Sequence, residues 1–284
     1  WSGTGLSTLK TEVMSLGTFD WDWLADGLQE AGYDLTLAHS LGMHAISYAK
    51  VKTDKRDART LARLLRGNLI PESYICPPER RALRDLLRSR WRLVDHRARE
   101  YRSIRYMLYR QGRWDHNLAQ VKALEAEDAA WISEKPNLAA IGAHALQRIE
   151  LLTRQIGDLE RDLKNGIYDA FGHDYDNLRT IPGIGVVIAL TIILESGDVA
   201  RFADSRKYSS YARVVPGCAN SSTVQKRGRN SKQGNRFLKW AYMHAATKAV
   251  QYDDDFKQLH ARYQKRHSNK GCKIVAYTTI AHRI

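Results

Sequence analysis

Two groups of residues in this 284-residue sequence could do chemistry on a phosphate. The first centres on Ser221, in a segment over 220–236 that is rich in hydroxyls, glycines and cations. A serine hydroxyl can attack phosphorus, and nearby cations would stabilise the charge on the phosphoryl group. The simpler alternative is that Ser221 and its neighbour Ser222 only hydrogen-bond phosphates. Residue chemistry alone favours this alternative, because no nearby His or acid marks a base.

The second group is a pair of acids, Asp54 and Asp57, at the start of a predicted helix over 54–66. Residues three apart on a helix share one face, so the two carboxylates would point to a common place. Carboxylate oxygens suit Mg²⁺, which usually takes one or two of them together with phosphate and water. The same spacing at a helix start also serves capping and the helix dipole, and spacing alone favours that role.

The charge of the chain predicts its class of partner. The formal net charge is +14, and residues 201–239 contain ten Lys or Arg against the single acid Asp204. Such a surplus indicates nucleic acid first and an anionic membrane surface second. The candidate phosphate ligands in this part are Lys226, Arg227, Arg229, Lys232 and Arg236.

A glycine turn over 181–185 (IPGIG) precedes an apolar run. Gly183 and Gly185 would permit a tight turn and let backbone N–H groups approach a phosphate in front of a helix N-terminus. A helix-hairpin-helix grips the DNA backbone in this way without reading bases. An ordinary turn between helices is the alternative, and the basic context favours DNA.

Two long helices, predicted over 79–113 and 138–168, separate the acids from the serine. The apolar residues of the second helix step by four and three: Ile149, Leu152, Ile156, Leu159 and Leu163. This pattern predicts a coiled-coil arm, paired antiparallel within the chain or across a dimer. The first helix carries twelve Arg between 80 and 113 against four acids, which favours nucleic-acid contact, at Arg84 and Arg88 among others, over a solvated face.

The remaining elements set the expected fold class, α/β plus all-α. Residues 21–76 have the order of helix, short strand over 34–38, and two helices over 41–50 and 54–66, which is typical of part of an α/β layer. The last third is predicted to contain helices over 183–195, 203–213, 233–250, 253–266 and 272–283. No apolar run is long enough to span a bilayer, and three distant cysteines fit a reducing cytoplasm.

Taken in order, these motifs resemble the DEDD transposases of the insertion sequence 110 family, the recombinases guided by a bridge RNA. The resemblance is carried by residues 21–28 (WDWLADGL), 52–58 (KTDKRDA), 181–185 (IPGIG) and 220–235 (NSSTVQKRGRNSKQGN). It implies a RuvC-like (RNase H-like) DEDD domain over 1–76, incomplete at its N-terminus. It further implies a helical coiled-coil arm over 77–170 and a C-terminal transposase domain over 171–284, which contains the helix-hairpin-helix and the serine.

The resemblance also implies roles for the site residues. Asp54 and Asp57 match the third and fourth acids of the DEDD set and would be Mg²⁺ ligands. Ser221 matches the serine that attacks a DNA phosphate and holds it covalently, with Ser222 left open as an alternative. A bridge RNA would pair with donor and target DNA, so that the protein holds backbone and shape. A homodimer or homotetramer in a bacterial or archaeal cytoplasm, associated with the nucleoid, is the expected context.

The sequence departs from the family pattern at the other two acids. The position expected for the Glu is Leu16, and the nearest acid is Glu12. The first Asp would lie on an early strand that we do not find, and because the chain begins at Trp1 we expect further residues upstream. Two rival functions are a metal-dependent junction nuclease, which cleaves with water, and an inactive relative that only binds nucleic acid. The missing Glu favours the inactive relative, whereas the intact Ser221 segment opposes it.

Overall fold

The computed structural model describes residues 22–39, 43, 53–114, 117–125, 128–215, 218–221, 224–227, 233–266 and 272–284. For 54, 57, 129, 218–221, 224–227 and 272 it describes the backbone only. The chain divides into two compact units, Trp1–Pro77 and Pro78–Ile284. Most of the described chain is helical.

The first unit contains helices α1 (Asp22–Glu30) and α2 (Asp54–Arg66). The bounds of α2 agree with the sequence prediction. Thr53 occupies the N-cap position with an extended backbone, but its side chain makes no capping hydrogen bond. At the other end, the N–H of Gly67 donates to the carbonyl of Arg63 at 3.0 Å and closes the last turn.

The strand predicted over 34–38 is wrong in extent. Within the described residues of this unit, pairing is confined to one antiparallel bridge between Ala38 and Glu72. The N–H of Ser73 donates to the carbonyl of Leu37, and the N–H of His39 donates to the carbonyl of Pro71. Leu37 and Ala38 are consecutive and both buried, so burial here does not alternate as it would in a strand with one solvent-facing side. The helix predicted over 41–50 lies almost wholly outside the described residues, as do Glu12 and Leu16.

The second unit is organised on two long helices, α3 (Pro78–Arg110) and α6 (Pro136–Arg179). They lie antiparallel. Arg90 of α3 pairs with Glu160 of α6 at 2.7 Å. Ten residues later in α3, Glu100 accepts from Arg148 at 2.8 Å, and Arg148 precedes Glu160 in α6, so the two helices run in opposite directions. Helix α6 continues beyond the predicted end at 168, and its only interruption is Phe171, whose backbone is not helical (φ −142°, ψ 28°).

Two short helices, α4 (Leu118–Lys122) and α5 (Ala129–Ile132), join α3 to α6. Asn117 begins α4 with a capping box, in which its side chain and that of Gln120 each accept from the other's backbone N–H. A small core fills this end of the helix pair: Ile104, Leu108, Val121, Ile132, Ala145, Leu146 and Ile149 are buried together with Met107.

The main core lies at the other end of the pair. It surrounds helix α7 (Val186–Ser196), which is apolar on all sides and is buried at every position from Ile188 onward. This helix packs against α3, α6 and α9 (Arg236–Tyr252), and the wider core is completed by α8 (Ser205–Tyr211), α10 (Asp254–Arg266) and α11 (Cys272–Arg283). A helix without a polar face can be stable only when other elements cover it on all sides. None of the described helices combines the length and hydropathy that a bilayer crossing requires.

The sequence predicts only helices in the last third and no strand in the segment between α8 and α9. Strands β1 (Cys218–Ser221) and β2 (Val224–Arg227) form an antiparallel hairpin there. The segment is polar and charged, so it lacks the alternation of apolar residues from which strands are usually predicted. The backbone ladder, which does not depend on that alternation, forms the hairpin nevertheless.

Candidate active site

The hairpin carries Ser221 at the end of its first strand. In the strand register Cys218 lies opposite Arg227, and Ser221 lies opposite Val224. Ser221 is therefore in the last pair before the connection through 222 and 223. The backbone of the candidate nucleophile is fixed by a ladder, in a segment with many cations.

The two ends of the segment that contains the hairpin are joined to each other. The N–H of Asn235, just before α9, donates to the carbonyl of Tyr211, the last residue of α8, at 2.7 Å. Gly234 makes this approach possible. It has φ +93°, and a Cβ there would lie 2.5 Å from the same Tyr211 carbonyl oxygen. Residues 212–234 thus leave and return at one point of the helical core.

Asn235 is also bound through its side chain. Its Oδ1 accepts from the N–H groups of Phe237 and Leu238 and caps the first turn of α9. Its Nδ2 donates to the Oε2 atom of Glu195 at 2.7 Å. Since an amide has both a donor and an acceptor, this one side chain fixes the return point of the segment to both α9 and α7.

Glu195 is the buried charge of this region, with a side chain only 1% exposed. Arg88 from α3 donates to both of its carboxylate oxygens, at 2.8 Å from Nε and 2.9 Å from Nη2. The same guanidinium lies 5.1 Å from the ring centre of Phe237. A buried carboxylate needs such partners, and the bidentate arrangement is the strongest that a side chain offers. Arg88 is therefore engaged in an internal pair, and this geometry does not support its predicted role as a phosphate ligand.

A chain of hydroxyl groups holds α8, which leads into the hairpin. Tyr208 OH lies 2.7 Å from Ser196 Oγ and 2.8 Å from Tyr242 OH, and so links α7, α8 and α9. Burial raises the pKa of Tyr208 and, more strongly, that of Tyr242. Both phenols therefore remain protonated at neutral pH, which the hydrogen-bonded chain requires.

The glycine turn over 181–185 connects α6 to α7. Gly183 has φ +88°, and a Cβ there would lie 2.6 Å from the backbone nitrogen of Ala249 in α9. Packing against α9 is thus enough to require glycine at this position. Gly185 is the N-cap residue of α7 with an extended backbone, and Arg179 donates to the neighbouring carbonyl of Ile184 at 2.9 Å. Phosphate contact at this turn remains a prediction.

The two acids lie in the first turn of α2, so their Cα atoms share one side of that helix. The structure does not describe their side chains. In the part of the chain that it does describe, no group of three or more His, Cys, Asp or Glu is arranged to hold a metal ion.

The predicted phosphate ligands differ in how much of each the structure describes: the side chain, the backbone only, or neither. Arg236 is the exposed first residue of α9, with its guanidinium 4.9 Å from the ring centre of Phe237. Arg84 lies on α3 with its Nε buried and without a hydrogen-bond partner among the described residues. Lys226 and Arg227 are described only by their backbone in β2, and Arg229, Lys232 and the alternative nucleophile Ser222 lie outside the described residues.

Sequence reasoning missed the residues that support the hairpin, Glu195 and Asn235 above all. One signal was available for Glu195: it is the sole charge in the apolar helix α7, and a charge in such a run requires a buried partner. Its partner in α3 is 107 positions away in sequence and carries no local signal.

Two models of known protein families match parts of this chain. A family model described as "Transposase IS116/IS110/IS902 family" matches residues 175–264, which include the glycine turn, α7, the hairpin and most of α10. A second model, for the DEDD transposases of IS110 elements, matches residues 8–111, which include α1, α2 and the acids.

Individual relatives agree with the family models. The chain is 27% identical over 257 residues to the transposase for insertion sequence element IS1111A of Coxiella burnetii, covering 82% of this chain and 66% of the relative. It is 24% identical over 224 residues to a probable family 20 transposase of Pseudomonas aeruginosa, covering 75% and 65%. The chain thus spans just under two thirds of the length of these two relatives. By both family models, it belongs to the IS110 family of transposases.

Proposed function

We propose that this chain acts in DNA transposition by cutting and rejoining DNA strands through a covalent bond between Ser221 and a DNA phosphate. The observation that supports it most is the hairpin. Its ladder fixes the backbone of Ser221, and the segment that contains it is anchored at Tyr211 and Asn235. A nucleophile needs such fixed positioning, because attack requires the oxygen to be held close to phosphorus and in line with the departing group.

In the proposed step, Ser221 Oγ forms a bond to phosphorus and one P–O bond of the DNA backbone breaks. The serine proton leaves to a base, and the departing strand oxygen takes up a proton to become a hydroxyl. Attack by a strand hydroxyl on the serine–phosphate bond reverses these changes and rejoins DNA. Each of these two steps exchanges one phosphodiester bond for another, so cutting and rejoining need no external energy source, as recombination requires.

Asp54 and Asp57 are proposed to hold a divalent cation, Mg²⁺. Two carboxylates in one helical turn fit the one or two protein ligands that Mg²⁺ usually takes. When bound, the ion would neutralise charge on the phosphate. We also propose that residues up to 76 belong to a RuvC-like α/β domain, that residues 77–170 form a coiled-coil arm, and that residues 171–284 form the transposase domain.

The proposed partners are double-stranded donor and target DNA and a structured bridge RNA. The net charge of +14 supports a polyanionic partner. Exposed Arg236, the cations of the hairpin segment and the glycine turn at Gly183 and Gly185 are the proposed DNA contacts, and Arg84 is a further one on α3. A homodimer or homotetramer in a bacterial or archaeal cytoplasm, close to the nucleoid, is the proposed working form.

Covalent trapping tests the chemistry. The protein is incubated with Mg²⁺, its associated RNA and a labelled branched DNA, and the products are separated on a denaturing gel. We expect a protein–DNA adduct that is lost in Ser221→Ala and kept in Ser222→Ala. Asp54→Asn should lower the yield of adduct while leaving DNA binding intact.

The other outcomes identify the rival functions. Cleavage without an adduct would indicate a metal-dependent junction nuclease that uses water. Retained binding of RNA and DNA without any cleavage would indicate an inactive binding relative. An adduct that persists in Ser221→Ala and disappears in Ser222→Ala would move the nucleophile by one residue.

A further inference from the structure

A basic groove of about 330 Å³ runs along the exposed face of α3 near its C-terminal end. The groove is lined by Arg99, Arg102, Ser103, Tyr106, Met107 and Arg110. These residues are three and four apart, so they form a single stripe on the helix. The nearest acid on this stripe, Asp95, pairs with Arg99 at 2.6 Å and with Arg102 at 3.9 Å. Asp95 pairs with two of the three groove arginines, and Arg110 has no such partner among the described residues, so the groove keeps a positive charge.

Exposed aromatic rings lie beside these arginines. Tyr106 in the groove is 63% exposed and packs edge-on against Tyr109 with 6.4 Å between ring centres. Trp114, just past the helix, is 69% exposed and stacks on Tyr109 at 4.9 Å with 27° between the planes. Tyr109 covers one face of this indole, which leaves the opposite face open.

The backbone at the end of α3 produces this stack. Gly112 has φ +77°, and the N–H of Arg113 returns to the carbonyl of Leu108 at 3.1 Å. The chain therefore turns back over the last helical turn and brings Trp114 onto Tyr109. Single exposed apolar residues are common on protein surfaces, but Tyr106 and Trp114 both contact Tyr109 and so form one aromatic patch. The positive charge beside them indicates a partner that is both anionic and flat-faced.

We propose that the groove and the Trp114 stack form a binding site for an unpaired single strand of nucleic acid. Its phosphates would lie along Arg99, Arg102 and Arg110, and its bases would stack on Trp114 and Tyr106. Arg110 is well suited to the phosphate, since it has no hydrogen bond or ion pair to any other residue that the structure describes. Aromatic rings that alternate with cations are the usual means of holding single strands without regard to sequence.

The aromatic rings distinguish a single strand from a duplex. In a duplex the base faces are stacked on each other and only their edges are accessible, so an exposed indole has no base face to contact. In a loop, a bulge or a displaced strand the faces are free. The site is separate from the serine hairpin and does not depend on the proposed strand-cutting chemistry.

Fluorescence anisotropy with the full chain tests this site. The probes are labelled 20-nucleotide strands of uridine and of deoxythymidine, and a labelled 20-base-pair DNA duplex. Because base stacking on an aromatic ring contributes about 1–3 kcal/mol, Trp114→Ala should weaken single-strand binding by about 5- to 150-fold. Duplex binding should change by less than about twofold. The ratio of uridine to deoxythymidine affinity shows which strand type the site prefers.

The dependence of strand affinity on salt concentration distinguishes the contribution of charge from that of base stacking, since only phosphate contacts release counterions. Arg110→Gln should lower the slope of log K against log salt by about 0.7 for single strands, the value for one phosphate contact, whereas Trp114→Ala should leave the slope unchanged. Tyr252→Ala, at a ring that is 72% exposed on α9, is the matched aromatic control. Arg161→Gln, at a side chain that is 70% exposed on α6, is the matched charge control. Neither should change strand binding.

Two results would overturn the proposal. The first is that Trp114→Ala binds single strands as tightly as the unmodified protein does, or that it loses the same affinity for single strands as for the duplex. The second is a change of oligomeric state in Trp114→Ala, measured by light scattering, with strand binding retained. That result would mean that the aromatic surface joins two copies of the chain.

Discussion

Removing the guanidinium of Arg88 should destabilise the second unit far more than removing an exposed arginine. The carboxylate of Glu195 is 1% exposed and receives two hydrogen bonds from Arg88 and one from Asn235. In Arg88→Ala it keeps only the bond from Asn235 and remains a buried charge. Removing one partner of a buried pair typically costs about 3–5 kcal/mol.

The exposure of Arg88 places the expected loss at the lower end of that range. Its side chain is 35% exposed, so water can enter the space it leaves and solvate Glu195 in part. We therefore expect a loss of about 3 kcal/mol in the free energy of unfolding. Arg88→Lys keeps the charge but loses the bidentate geometry, and should lose about half as much.

Arg99 on the same helix is the matched control. It pairs with Asp95 at 2.6 Å, a shorter distance than in the buried pair, but the two side chains are 66% and 52% exposed. An exposed pair four residues apart on a helix contributes only about 0.3–0.5 kcal/mol. The contrast therefore tests whether burial, and not distance, sets the strength of the interaction.

The assay is urea unfolding of the full chain, followed by circular dichroism and tryptophan fluorescence. The shift of the midpoint, multiplied by the slope of the transition, gives the change in free energy. If Arg88→Ala and Arg99→Ala differ by less than about 1 kcal/mol, Glu195 does not depend on Arg88 in the way described.

Three further predictions concern other parts of the second unit. Gly183→Ala should lower the free energy of unfolding by about 2–4 kcal/mol, because this residue has a positive φ and a Cβ there would contact α9. Gly157→Ala, where a Cβ would have nothing within 4 Å, should raise it by up to about 1 kcal/mol. Equal urea midpoints for the two variants would refute the close packing at Gly183. Tyr242→Phe should cost about 1 kcal/mol at neutral pH. Because burial raises the pKa of Tyr242, the stabilising effect of this phenol is present below about pH 10 and is lost as pH rises further. Tyr242→Phe should therefore lose less stability between pH 9 and 11 than the unmodified protein does, and identical pH profiles for the two proteins would contradict this. Burial, with a smaller effect of Lys273, lowers the pKa of His260, so stability should fall as pH drops below about 6.5, and this fall should be smaller in His260→Gln when melting is followed from pH 8 to 5.

Local sequence was sufficient for most helices of the second unit and for α2. Helix α2 has the bounds that its sequence predicts, because an amphipathic run between Thr53 and Gly67 contains both its face and its ends. Apolar residues three and four apart in α6 predict that it needs a partner helix, but the sequence left open whether that partner is α3 of the same chain or a helix of a second copy. The family could also be identified from short motifs in order, since each motif is contiguous.

Other features depended on contacts between distant residues. The apolar residues of the hairpin around Ser221 do not alternate along its strands, so the strands form through backbone pairing that side-chain periodicity does not reveal. Arg88 was predicted to bind nucleic acid from the charge of α3, because sequence cannot tell an arginine that faces solvent from one that faces a buried acid. The stack of Trp114 on Tyr109 forms because Gly112 turns the chain back onto the last turn of α3.

The sequence by itself determined which segments are helical, the excess of positive charge and the family. The tertiary structure alone decided which charges remain available to a partner. Arg88 and Arg110 are the same residue type on the same helix. Arg88 faces Glu195 in the core, whereas Arg110 lies on an exposed stripe. That difference is set by the packing of α7 and α9 against one face of α3, through Glu195, which is 107 positions from Arg88, and through Phe237, which is further away still.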